Sequence, residues 1–142
     1  MARPFKTAGG ALVAESGLLR NATVEATTTT FTLTRNDSGK LYHCTLGSGT
    51  QTFTLPLAAN HKGALFTFVC GDAGGEILVT PNSADQISAK GLVDHSTSVK
   101  PTAGTGIKNT AATNVVGDHI TVMSDGSTTW HEIAGAGIWA SQ

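Results

Sequence analysis

Charge is scarce in this chain. Asp, Glu, Lys and Arg make up 13% of its 142 residues, and the formal net charge is −1. With no basic stripe, a nucleic-acid partner is not expected. Cysteine is nearly absent. Cys44 and Cys70 are too few for a disulfide framework. Both fall in runs that read as strands, so two buried thiols or a single bridge fits the pattern. No apolar run approaches the ~20 residues that span a bilayer. The opening MARPFKTAGG carries no signal-peptide core. Neither a membrane partner nor a secretion route is therefore expected. Long straight-chain helix formers are few, which argues against a helical fold.

What is present is glycine, with 17 copies, and clustered threonine. That mixture points to an all-β chain with many turns. At this length one domain is the prior, burying roughly 70% of its unfolded surface. Residues 117–135, GDHITVMSDGSTTWHEIAG, give the clearest signal. Runs 119–124 and 129–134 read as strands around the turn at Asp125-Gly126. Ile120 and Val122 share one face. Trp130 and Glu132 share another, opposite His131 and Ile133. Trp130 is the expected anchor, its indole N–H held by a nearby carbonyl.

Upstream, residues 23–34 read as one Thr-rich strand, followed by a turn at 35–39. Residues 40–46 read as a strand whose better core face is Tyr42, Cys44 and Leu46. Residues 51–55 form a short strand ending at Pro56. Residues 64–70, ALFTFVC, suit a central strand, and 76–80 another. Thr30-Phe31-Thr32-Leu33 recurs as Thr52-Phe53-Thr54-Leu55. Two copies do not make a solenoid, so this echo reads as convergent strand chemistry. The expected fold is a small antiparallel β-sandwich or β-barrel, jelly-roll-like, over residues 22–142, preceded by an extended arm at 1–21. Its core should rest on Phe53, Phe66, Phe68, Ile120, Val122 and Trp130. Between residues 83 and 116 the pattern weakens. Ile87, Leu92, Val93, Val99, Ile107, Val115 and Val116 are sparse apolar pegs, suited to unresolved short strands or to packing on a neighbouring subunit.

Candidate chemistry is thin. The five histidines show no HxH or HExxH spacing, and the cysteines no CxxC, so no metal site is assigned. His119 and His131 flank one turn and would meet only if they shared a face. His43 and Cys44 are adjacent in a strand and so point apart. No GxSxG nucleophile motif occurs, and the Gly-rich segments lack the Lys and helix of a phosphate cradle. Asp118 and Glu132 are the one carboxylate pair worth weighing as a glycosidase dyad, although charged residues flanking a hairpin are usually a solvated rim. No catalytic, metal or cofactor residue is assigned, and an enzyme is not the expected reading.

Several pieces carry a resemblance. They are residues 36–40, the TFTLP at 52–56, the GALFTF at 63–68, ILVTPNSADQI at 77–87, and VMSDGSTTW at 122–130. In this order they resemble a β-module of tailed-phage virion proteins, over about residues 23–140. The resemblance implies a trimeric structural protein without catalytic residues. The implied function is that of a capsid decoration, or cement, protein that binds the outer surface of the phage head and bridges neighbouring capsomers of the major capsid protein, after assembly in the host cytoplasm. The alternative is a head-fibre or tail-fibre tip module that binds a host cell-surface glycan. A fibre needs a stalk, and residues 1–21 are short for one. For the arm the expectation is capsid contact: Arg3, Lys6 and Arg20 offer positive charge, Phe5, Leu12 and Val13 offer apolar anchors, and Gly9-Gly10 a bend.

Overall fold

A computed structural model describes residues 23–89 and 103–142. The chain first alternates between two facing sheets. β1 (Thr23–Ala26), β3 (Leu41–Cys44) and β5 (Leu65–Cys70) lie side by side in one sheet. β2 (Thr30–Thr32), β4 (Gly49–Thr54) and β6 (Gly75–Thr80) do so in the other. Every neighbouring pair in these two triplets is parallel. The reason lies in the connections. Residues 27–29, 45–48 and 71–74 are corners that carry the chain across to the opposite sheet, so each return to a sheet runs in the original direction. The result is a stack of three rungs.

The corners stack as closely as the strands. A Cβ on Gly75 would sit 1.8 Å from the Leu46 carbonyl oxygen, so only glycine fits there. Inside the first corner the buried Gln51 donates from Nε2 to the carbonyls of Ala26 and Thr28, adding to the Thr45 amide that Ala26 already accepts.

Alternation along each strand turns one face inward, and in-register stacking lines those faces up in columns. Phe31, Phe53 and Val79 form one column, and Val24, Tyr42 and Phe68 another. Phe31 stacks on Phe53 at 4.8 Å, and Phe53 meets Phe68 across the sandwich at 4.7 Å. Each such ring pair adds about 0.5–1.5 kcal/mol beyond its burial.

The remaining strands close the sandwich by running in both directions. β7 (Gln86–Ser88), β8 (Ile107–Asn109), β9 (His119–Ser124), β10 (Thr129–Ala136) and β11 (Trp139–Ser141) complete the two sheets. Their orders are β1-β3-β5-β9-β10-β7 and β11-β8-β6-β4-β2. β9 pairs antiparallel with β5 and with β10, and β8 does so with β6 and β11. β7 joins β10 in parallel.

The fold is thus an all-β sandwich. Phe53, Phe66, Phe68, Ile120, Val122 and Trp130 all sit fully buried in its core. Strand direction departs from expectation: five pairings are parallel and four antiparallel, so the sandwich is mixed and not a jelly roll. Inward-outward alternation reads the same in either direction, which is why sequence pattern missed it. The echo also has a structural counterpart. Thr30, Phe31 and Thr32 are the register partners of Thr52, Phe53 and Thr54 on adjacent rungs, so the two copies are structurally equivalent. Residues 23–34 are two strands with a corner between them. Between 83 and 116, β7 and β8 bury Ile87 and Ile107 within this chain's own core, so these two are not pegs for a neighbour. Finally, Trp130 Nε1 has no hydrogen-bond partner among the described residues, whereas Trp139 Nε1 donates to the Ala136 carbonyl at 3.1 Å.

Candidate functional site

The β9–β10 register disposes of two pairings. His131 lies opposite Met123 and His119 opposite Ala136. The two histidines are therefore offset by the four residues from His119 to Met123, roughly 13 Å of strand. Each has its own local contact: His131 Nε2 is 3.8 Å from Asp125, and His119 Nδ1 is 3.0 Å from the Gly117 carbonyl oxygen. Glu132 faces Val122, so Asp118 is displaced from it by a similar four residues, roughly 13 Å. That exceeds the ~5–9.5 Å of a glycosidase pair. Asp118 is instead a buried tie, accepting hydrogen bonds from Asn109 Nδ2 at 2.9 Å and from the Val115 amide at 3.0 Å.

Cys44 and Cys70 are free, buried register partners on β3 and β5. Burial, reinforced by the neighbouring Cys70, pushes the Cys44 thiol up to about 12. Burial and then the Asp118 charge push Cys70 up as well. Neither is an activated nucleophile. His43, on the opposite face from Cys44, places Nδ1 3.0 Å from both carboxylate oxygens of Glu25 on the adjacent rung. No group of three or more His, Cys, Asp or Glu among the described residues is placed to hold a metal. Arg3, Phe5, Lys6, Leu12 and Val13, the arm residues expected to contact a capsid, lie outside the described residues, as do Arg20, Leu92, Val93 and Val99.

Two surface features remain. The first is the outer edge of the first rung. β1 ends one sheet and β2 ends the other, so among the described residues both sheets present an edge strand at the same end. Thr23, Glu25, Thr30 and Thr32 are exposed along this edge. Away from it, Val115 and Val116 stand 63% and 61% exposed in the turn before β9.

The second feature is a cleft of about 310 Å³ lined by Arg35, Asn36, Ser38, His61, Lys62, Gly63 and Ala64. Two turns build it. Residues 35–37 form a short 3-10 turn closed by a capping box between Thr34 and Asp37. Residues 58–60 form another, after which Ala64 N–H returns to the His61 carbonyl. The Asp125-Gly126 turn lies against it: a Cβ on Gly126 would meet the Lys62 methylenes at 2.5 Å. The sequence pattern predicts a turn at 35–39 and carries no assignment at 58–62. The signal that was available is a basic residue in each, Arg35 and Lys62, but nothing in one dimension brings positions 25 residues or more apart together.

Comparison with known proteins adds no identity. No family model and no curated protein matches the chain.

Proposed function

We propose that this chain is a phage capsid decoration protein that binds the outer surface of the head and bridges neighbouring capsomers. The observation that carries the reading is the outer edge of the first rung, which no further strand pairs among the described residues. Two edge strands at one end of the sandwich present backbone N–H and C=O groups along a shared border. A strand supplied by a neighbouring subunit adds to such an edge through main-chain hydrogen bonds. The arm of residues 1–21, which precedes β1 in the chain, is then what reaches the neighbour. In this reading Arg3 and Lys6 meet acidic capsid surface, while Phe5, Leu12 and Val13 enter shallow pockets. The buried, inert thiols and the separated carboxylates suit a structural role better than a catalytic one. Exposed Val115 and Val116 fit burial between copies of a homotrimer.

The test is electron microscopy of virions from cells that carry the gene, labelled with an antibody to the chain. Label spread over the whole head supports the proposal. Label restricted to the tail, or none on particles, overturns it. For the arm, a chain lacking residues 1–14 should fold yet decorate bare heads far more weakly than the intact chain. Equal decoration would move the contact onto the sandwich.

A further inference from the structure

The cleft between the two turns is the least neutralised surface among the described residues. Four Lys and Arg side chains are described, and two have acidic partners: Lys40 pairs with Asp37 at 2.7 Å, and Lys108 with Glu76 at 3.1 Å. The other two, Arg35 and Lys62, make no ion pair among the described residues, and both line this cleft. The nearest acid in the sequence, Asp37, is already engaged by Lys40 and by the Thr34 amide and hydroxyl. No acidic residue is among those lining the cleft. A concave, cationic surface of this kind concentrates field and attracts an anion.

The donors are held in place before any ligand arrives. His61 Nδ1 lies 2.7 Å from the Leu57 carbonyl oxygen, which places the proton on that nitrogen and leaves Nε2 for a ligand. Ser38 Oγ accepts the Leu65 amide at 3.1 Å, so its own proton is free to be donated. Arg35 uses Nη1 on the Asn60 carbonyl at 3.4 Å and keeps its other N–H groups. The Lys62 stem rests over Gly126, whose φ of 80° and missing side chain leave that path open.

We propose that this cleft binds a small sugar acid, a saccharide carrying a carboxylate. The Arg35 fork and the Lys62 ammonium match the carboxylate through charge-assisted hydrogen bonds. Asn36 both donates and accepts, and His61 Nε2 accepts, which suits sugar hydroxyls. The volume of about 310 Å³ is at the lower end of the ~300–1,000 Å³ typical of small-molecule sites and exceeds the need of a bare inorganic anion. No Phe, Tyr or Trp lines the cleft to stack on a base, which favours a saccharide over a nucleotide. This site is independent of the capsid role and stands or falls without it.

The experiment is an NMR titration of the full chain with sodium glucuronate, glucose and sodium sulfate in separate arms. Glucuronate should give saturable shifts at the Ser38, Gly63 and Ala64 amides, with glucose and sulfate binding far more weakly. Arg35→Gln and Lys62→Gln should each weaken glucuronate by about tenfold, while Lys108→Gln leaves it unchanged. Both cleft substitutions are at exposed positions, and an unchanged melting curve will show that they fold. Absence of saturable shifts with glucuronate overturns the site. Sulfate binding as tightly as glucuronate overturns the sugar reading. Indifference to both cleft variants places any binding elsewhere.

Discussion

The parallel rungs, residues 23–80, and the return, residues 81–89 and 103–142, solve the same packing problem differently. In the rungs, like stacks on like: Phe31 on Phe53, Tyr42 on Phe68, Cys44 on Cys70. Gln51 is the only buried polar side chain named in that half. In the return, buried polar groups accumulate: Asp85, Asn109, Asn114, Asp118, Thr121, Ser124, Thr129 and Glu132. Several join loops to the rungs. Asp85 accepts the Ala58 amide at 2.7 Å, Ser124 Oγ donates to the Ala58 carbonyl at 2.9 Å, and Asn114 Nδ2 donates to the Gly75 carbonyl. Regular stacking makes backbone ladders and apolar columns almost sufficient. A chain that changes direction leaves irregular backbone inside, and each bent segment needs a side chain to satisfy it.

This contrast can be broken at its strongest point first. Phe53 is fully buried and touches Phe31, Tyr42 and Phe68. Phe53→Ala should cost about 3–5 kcal/mol in denaturant titrations, whereas Phe53→Leu keeps apolar volume and should cost much less. An equal loss for both would show that the column depends on ring geometry and not on burial.

The return half should respond to polarity instead. Asp118→Ala removes the acceptor of the Val115 amide and one of the two acceptors of Asn109 Nδ2, which keeps the Ile138 carbonyl, and should cost about 1–3 kcal/mol. Asp118→Leu, which restores volume without an acceptor, should do no better. If Leu rescues stability, the tie matters only as filler.

Acid should act on both halves, with smaller effect. Backbone hydrogen bonds from Ser127 and Thr129 hold the Asp125 carboxyl below its ordinary value of 3.8. At Asp37, burial works the other way, but hydrogen bonds from Lys40 and Thr34 outweigh it and the carboxyl is again lowered. A depressed carboxylate stabilises the fold above its unfolded value and loses that contribution as pH falls through the folded one. Melting temperature should therefore drop as pH goes below about 3.8, and Asp125→Asn or Asp37→Asn should each flatten part of that slope.

The smallest expected effect is none. With Cys44 pushed up to about 12, its thiolate fraction at pH 8 is roughly one in ten thousand. Native protein should stay unmodified by iodoacetamide at that pH, and denatured protein should take up two equivalents. Rapid native labelling would place a thiol at the surface.

Much of this was legible in one dimension. Strict alternation identified β5, β6, β9 and β10 within a residue or two, because a strand with one wet and one dry face must alternate. Composition alone indicated the all-β class. The weak pattern at 83–116 concealed β7 and β8 because three-residue strands have too little length for a period to show. At the candidate sites less was legible. Asp118 and Glu132 looked like a pair because sequence proximity was the only distance available. Arg35 and Lys62 carried no signal joining them, for the same reason.

What sequence by itself determined was which side chains face inward. Hydrophobicity and the two-residue period of a strand are local properties, and Phe53, Phe66, Phe68, Ile120, Val122 and Trp130 are buried accordingly. What tertiary structure alone decided was the company those side chains keep. Whether a Gly-rich segment reverses the chain or carries it to the opposite sheet depends on whether a surface already waits there to be covered. Here the corners cross, the echo at 30–33 and 52–55 becomes two stacked rungs, and two distant turns meet to form a cleft. Those outcomes follow from non-local packing, which the order of residues specifies only through the whole fold at once.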